Sequence, residues 1–206
     1  MKRVTLISIV WLTGWSLMAQ PTAGKLFLGG NMKIYTSIEK VKTGSTTENN
    51  GTTTYLSFLP MAGYFLSEKI ALGAGIGVDA SFYKLSGGSP EKRNGVTFVF
   101  NPFARYYLIS GTGGLFAEAF IRTGFGTEKD FYETTTDKQK LTEFSMGIAP
   151  GVYYYITSKL ALEAKFGWLG FRSQATKFGE DRKNMYNTFG LQFTPDSFIF
   201  GLTFTL

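Results

Sequence analysis

Past a short apolar leader, apolar and polar residues alternate along the chain with a period of two, the pattern of strands that bury one face and wet the other. In the first such segment Leu26, Leu28, Met32, Ile34 and Ile38 share one face; Asn31, Lys33, Tyr35, Ser37 and Glu39 share the other. A second runs from about Thr54 to Leu66, with Leu56, Phe58, Pro60, Ala62 and Tyr64 on the apolar face, and turns sharply at Ser67, Glu68 and Lys69. The third alternates most clearly. Ile70, Leu72, Ala74, Ile76, Val78, Ala80 and Phe82 oppose Ala71, Gly73, Gly75, Gly77, Asp79, Ser81 and Tyr83.

The fourth strand, Val96 to Leu108, sets Val96, Phe98, Phe100, Pro102, Ala104 and Tyr106 against Thr97, Asn101, Arg105 and Tyr107. After a short turn through Gly111 and Thr112, the fifth carries Leu115, Ala117, Ala119, Ile121, Thr123 and Phe125, with Glu118 and Arg122 opposite. Phe144, Met146, Ile148, Pro150, Val152 and Tyr154 mark the sixth. The seventh has Leu160, Leu162, Ala164, Phe166 and Trp168 on its apolar face and Glu163 and Lys165 on the other. The last, Ser197 to Leu206, aligns Phe198, Phe200, Leu202, Phe204 and Leu206. Short turns alternate with four polar stretches read as loops, 43–53, 84–94, 128–140 and 172–186.

A repeat supports this order. Phe58–Leu66 reads FLPMAGYFL, Phe100–Leu108 reads FNPFARYYL and Ile148–Ile156 reads IAPGVYYYI. Pro60, Pro102 and Pro150 stand 42 and 48 residues apart, one strand, loop, strand and turn per repeat. A propeller blade has a similar period, but it does not explain why short turns and long loops alternate. A hairpin meander closing on itself does. The three prolines lack a ladder donor and are expected at bulges or near a rim.

Which face is apolar decides between lipid and water. Across the central ~10 residues of each strand, the span needed to cross a bilayer, the apolar face carries essentially no ionisable group. Charge collects on the other face: Lys33, Glu39, Asp79, Arg105, Glu118, Arg122, Glu143, Glu163 and Lys165. A soluble lipocalin-like barrel, the alternative, has the inverse arrangement. The fold class expected is all-β, an eight-stranded antiparallel up-and-down transmembrane β-barrel. Tyr64, Phe65, Tyr106, Tyr107, Tyr153, Tyr154 and Tyr155 fall beside the short turns as an interfacial girdle, and Phe82, Phe98, Phe144 and Trp168 mark the other rim.

The leader has a basic start (Lys2, Arg3), an apolar run from Val4 to Met18 and a small residue, Ala19. That is the anatomy of a signal peptide, residues 1–19, preceding a mature barrel domain of residues 20–206. A helical anchor is disfavoured because the run is short of the ~20 residues needed and includes Thr5, Ser8, Thr13 and Ser16. No domain is expected after Leu206. With no cysteine, neither a disulfide framework nor a lipidated N-terminal cysteine is available. Loss of Lys2 and Arg3 lowers the net charge from +6 to +4, without an Arg-rich arm, so nucleic acid is not an expected partner. A mild attraction to a phosphorylated glycolipid surface is.

The stretch PMAGYFLSEKIALGAGIGV (Pro60–Val78) and the closing FIFGLTFTL (Phe198–Leu206) resemble the OmpA- and OmpX-type small outer-membrane barrels, the outer membrane protein beta-barrel domain family. The resemblance covers the whole mature chain. It implies export to the outer membrane of a Gram-negative-type bacterium. It also implies that the barrel assembly machinery reads Phe198, Phe200, Leu202, Phe204 and Leu206, although such signals commonly end in an aromatic residue and this one ends in Leu206.

An eight-stranded barrel is only wide enough to be filled by side chains, so the inward charges are expected to pair. The candidate lumen network is Lys33, Asp79, Arg105, Glu118, Arg122, Glu163 and Lys165, with Gly73, Gly75 and Gly77 giving large partners space. If the turn after the fourth strand centres between Gly111 and Thr112, Arg105 lies across from Glu118 and Asn101 from Arg122. Such pairs make either a salt-bridged plug or the switch of a gated pore. Catalysis has little to stand on, with no histidine and no cysteine; Glu180 and Asp181 read as solvated. No enzyme activity, cofactor or metal is expected. The function expected is that of a structural or surface-interaction protein presenting its four outer loops, with a narrow porin-like channel as the alternative and a soluble ligand-binding barrel as the second. Outer-membrane lipids, lipopolysaccharide and the assembly machinery are the expected partners of a monomer.

Overall fold

A computed structural model of the protein describes residues 21–43, 46–85, 92–109, 111–132, 135–178, 182–194 and 197–206. The expected signal peptide and the pair Glu180 and Asp181 lie outside the described residues. Ten strand segments follow one another: β1 Leu26–Thr43, β2 Thr46–Phe65, β3 Ile70–Leu85, β4 Lys92–Tyr107, β5 Gly113–Phe131, β6 Thr136–Tyr155, β7 Leu160–Phe166, β8 Trp168–Phe178, β9 Arg182–Gln192 and β10 Phe198–Thr205. Segments β7 and β8 are two halves of one stave, as are β9 and β10, so the wall has eight. Each stave pairs antiparallel with its neighbours in sequence, and β1 meets β10 to close the barrel.

Alternation forms these strands because only a closed sheet satisfies every backbone donor while turning one face of each strand to a surrounding apolar phase. The outward face is the apolar one. Ile76 is 69 % exposed and Phe98 67 %, and Ile34, Phe58, Phe125, Ile148 and Phe200 lie open on other strands. Exposed apolar area of this extent, free of charge and continuous around the wall, is costly in water and favourable in hydrocarbon.

Three features depart from the sequence reading. Where they are described, the four polar stretches expected as loops are largely strand: β1 and β2 continue to Thr43 and from Thr46, β5 and β6 to Phe131 and from Thr136. Polar on both faces, these extensions are still held as strands by pairing with each other, as in Lys129↔Lys138 and Thr43↔Thr46.

The prolines differ among themselves. Pro60 and Pro102 keep register with Gly30 and Ala74 on the preceding strand. Toward the following strand the ladder skips from Phe58↔Val78 to Met61↔Gly75, and from Phe100↔Thr123 to Phe103↔Phe120, with no shift. A missing N–H thus interrupts these ladders without a bulge. Only Pro150 faces one: between Ile148↔Leu169 and Gly151↔Lys165 the register slips by a residue at Gly167.

That bulge reverses the phase of the stave. Gly167 sits at φ +69°, and a side chain there would come within 2.5 Å of the Gln192 carbonyl. Beyond it Leu169 points outward at 50 % exposure, and Trp168, expected on the outer rim, turns into the barrel over Gly147. The last stave absorbs its own irregularity between Gln192 and Phe198. The excursion closes on itself: the Thr194 N–H donates to Ser197 Oγ, and both Ser197 N–H and Oγ–H donate to the Thr194 carbonyl.

Candidate functional site

The lumen is built in two tiers. At the short-turn end the inward partner of each aromatic run forms a floor. Phe27 meets Phe65 at 5.0 Å between ring centroids, Phe65 meets Tyr107 at 5.8 Å, and Tyr107 meets Phe116 at 6.0 Å and Tyr153 at 5.2 Å. The expected girdle is therefore split by alternation. Tyr64, Tyr106 and Tyr154 face outward, while Phe65, Tyr107, Tyr153 and Tyr155 are buried inside. Gly63, Gly73 and Gly151 face the rings of Phe27, Phe103 and Phe116, where any side chain would clash.

Above the floor lies a neutral quartet of buried charges. Arg105 Nη2 donates to Glu118 Oε2 at 2.7 Å and Arg105 Nη1 to Glu163 Oε1 at 2.7 Å. Lys165 Nζ reaches Glu118 Oε1 at 2.6 Å, and Thr203 Oγ1 donates to Glu163 Oε1 at 2.7 Å. The guanidinium also stacks 4.4 Å from the Phe116 ring centroid. Two cations and two anions thus cancel where solvent does not reach, the condition under which buried charge is tolerated.

The upper tier is looser. Asp79 accepts from Ser57 Oγ at 2.7 Å and from Arg122 at 2.5 Å. The flanking pairs Phe100↔Thr123 and Phe103↔Phe120 put Arg122 at the level of Asn101, but the guanidinium turns to Asp79 instead. Lys33 Nζ lies over the Tyr35 and Tyr55 rings at 5.1 and 5.2 Å. Glu143 accepts from Gln174 at 2.7 Å, with Arg172 3.7 Å away. These groups surround a cavity of about 180 Å³ lined by Lys33, Tyr55, Asp79, Arg122 and Trp168 among others.

Toward the outer end Arg93 pairs bidentately with Asp130, which also accepts from Gln139. The hydrogen bond to Asp130 holds the Arg93 guanidinium above its ordinary pKa, and burial pushes the Glu128 carboxyl up.

The seam between first and last staves is short. The ladder of β1 with β10 ends at Met32↔Phe200, and β9 pairs with β8 alone, so among the described residues β1 beyond Met32 has no ladder partner on that side. Met32, Gln192 and Ser197 line the cavity there.

Of the predicted lumen residues, Arg105, Glu118, Glu163 and Lys165 meet in the quartet, Asp79 and Arg122 form a second pair, and Lys33 lies over its tyrosines. Thr203 and an inward Trp168 are absent from the sequence expectation. Their signals are present: Thr203 alternates inward between Leu202 and Phe204, and a glycine precedes Trp168. Phe198, Phe200, Leu202, Phe204 and Leu206 are all exposed outward. Among the described residues no cluster of three or more potential metal ligands occurs.

No protein-family model and no curated protein matches the chain at the sequence level. Among solved structures it is similar to the outer membrane protein OprG from Pseudomonas aeruginosa, with a TM-score of 0.53 and 10 % identity over 92 % of this chain and 99 % of that one. A major outer membrane protein from Thermus thermophilus gives a TM-score of 0.44 and 10 % identity over 89 % and 100 %. At such identity, the likeness to OprG is one of fold.

Proposed function

We propose that the chain is an integral outer-membrane β-barrel that works at the cell surface, as a structural or surface-interaction protein, and that its lumen does not conduct. The observation that carries this is the closed lower tier: Arg105, Glu118, Phe27, Phe65 and Phe116 are each at most 2 % exposed. An ion crossing there would have to part a quartet of paired charges and displace the rings beneath it, at a cost of several kcal/mol. The open cavity, the polar extensions and the charge-free belt all lie on the outer side of that closure or around it. Kinship to the OmpA- and OmpX-type barrels, drawn from Pro60–Val78 and Phe198–Leu206, fits the same reading.

Single-channel recording of residues 20–206, refolded into a planar bilayer, tests it. Silent membranes, with insertion verified by a heat-dependent shift in gel mobility, are expected. Reproducible conductance steps that change with Arg105→Ala would establish a pore and make the quartet its gate.

A further inference from the structure

The outward face carries an unbalanced set of charges that neither the barrel wall nor the lumen explains. By strand alternation, Lys84, Lys92, Lys129, Lys138, Lys140, Lys177 and Lys183 point outward beyond the apolar belt, with Phe131 on the same face past Lys129 and across from Lys92. All seven are exposed. The acids Asp79, Glu118, Glu128, Asp130, Asp137 and Glu143, on the strands that carry or adjoin these lysines, occupy inward positions. Among the described residues sign and face are thus segregated, lysine at outward and carboxylate at inward positions of the strands, Asp137 being exposed at its strand's end.

Register sharpens the point. Lys84 stands directly across from Lys92, Lys129 from Lys138, Lys140 from Lys177, and Lys177 from Lys183. Neighbouring strands lie ~4.8 Å apart, and like charges directly opposed across a ladder destabilise it. Four such oppositions, with no acid beside them on that face among the described residues, are relieved by an anion that sits between them. Ordinary loop solubility would be served as well by alternating signs.

Height identifies the anion. The lysines begin where the belt ends, one or two outward positions past Phe82, Val96, Phe125 and Phe144. In a barrel embedded in lipid, that level is the headgroup layer of the outer leaflet, where long ammonium side chains snorkel toward phosphate.

We infer that this lysine collar is a docking surface for a phosphorylated glycolipid of the outer leaflet, its phosphates seated between opposed lysines. The three-strand row Lys140, Lys177, Lys183 offers room for two phosphates side by side. The inference rests on the reading of the chain as a lipid-embedded barrel whose polar end faces outward.

The test uses residues 20–206 refolded into zwitterionic phosphatidylcholine vesicles, with and without a minor fraction of bisphosphorylated lipid A. The readouts are thermal unfolding and binding of labelled lipid A. Wild type is expected to gain stability with lipid A, in a salt-dependent manner. The triple variant Lys140→Gln, Lys177→Gln, Lys183→Gln is expected to bind about a hundredfold more weakly, at ~1 kcal/mol per lysine. In pure phosphatidylcholine it should be no less stable than wild type, because the mutual repulsion is gone. Lys69→Gln with Lys159→Gln, at the short-turn end, should bind like wild type. Equal gains for wild type and the triple variant overturn the proposal, as does an equal gain from dephosphorylated lipid A. The same gain from phosphatidylglycerol at matched charge would reduce the collar to a general counter-ion surface and overturn the glycolipid assignment. Failure of wild type to fold in any vesicle would instead remove the barrel reading itself.

Discussion

Arg105 on β4 stands directly across the ladder from Glu118 on β5, and its Nε and Nη2 both donate to the same carboxylate oxygen, at 3.2 and 2.7 Å. Neither side chain sees solvent, and each has a second partner, Glu163 for the arginine and Lys165 for the glutamate. Four residues from three staves are thereby tied into one electrostatic unit.

Such a unit responds to loss of its members as a whole. Arg105→Ala, which leaves two carboxylates facing one lysine, is expected to cost ~3–5 kcal/mol. Adding Glu118→Ala should cost much less than its single effect, because the charge count is restored. Urea unfolding of both singles and the double in vesicles measures the coupling, and simple additivity would show that the two residues act independently.

Depth governs the outer face. Ile76→Arg places a charge in the apolar belt and is expected to cost ~2–4 kcal/mol of folding free energy in lipid, whereas Thr127→Arg, on the same outward face between Phe125 and Lys129, should be close to neutral. Folded fraction by gel mobility decides between them; similar losses would mean that the belt does not sit where its side chains place it.

Ring packing predicts a contrast between two glycines. A Cβ at Gly151 would lie 2.3 Å from Phe116 Cζ, so Gly151→Val forces the floor to rearrange at ~1–3 kcal/mol. A Cβ at Gly190 meets nothing within 4 Å, and Gly190→Ala should change stability by less than ~0.5 kcal/mol. Denaturant midpoints of the two variants, compared in one lipid, test the assignment of faces around the barrel.

Trp168 reports on its own location. The other tryptophans, Trp11 and Trp15, lie in the leader, so residues 20–206 contain one indole. Brominated phospholipid, with two chains too bulky for the lumen, should quench it weakly and should strongly quench a tryptophan moved one position outward in Trp168→Phe, Leu169→Trp. Equal quenching would return Trp168 to the lipid face.

How much of this is legible in the sequence depends on whether the period stays at two. Where it does, counting suffices: the stave order, the outward set from Leu26 to Ile38 and the opposition of Arg105 to Glu118 all follow from alternation and one turn. It fails at Gly167, because a single residue in the left-handed region flips every side chain after it, and nothing in the spacing of Phe166 and Trp168 marks the slip. Aromatic pairs such as Tyr106 and Tyr107 look like one girdle although adjacent residues must face opposite ways. The outer extensions look like loops because strands that are polar on both faces carry no periodic signal. Register levels Asn101 with Arg122, yet it does not say which way a long guanidinium will swing.

The self-closed turn at Thr194 and Ser197 has a consequence for how such a chain can change. In a closed sheet, a residue inserted into one stave would ordinarily propagate around the whole circumference as altered stagger. Here the last stave takes up its surplus locally, between a lower half bonded to β1 and β7 and an upper half bonded to β8. The two halves are thereby uncoupled in inheritance. A residue gained or lost in the upper half can then be absorbed without altering the stagger, while the half that closes the ring keeps its register.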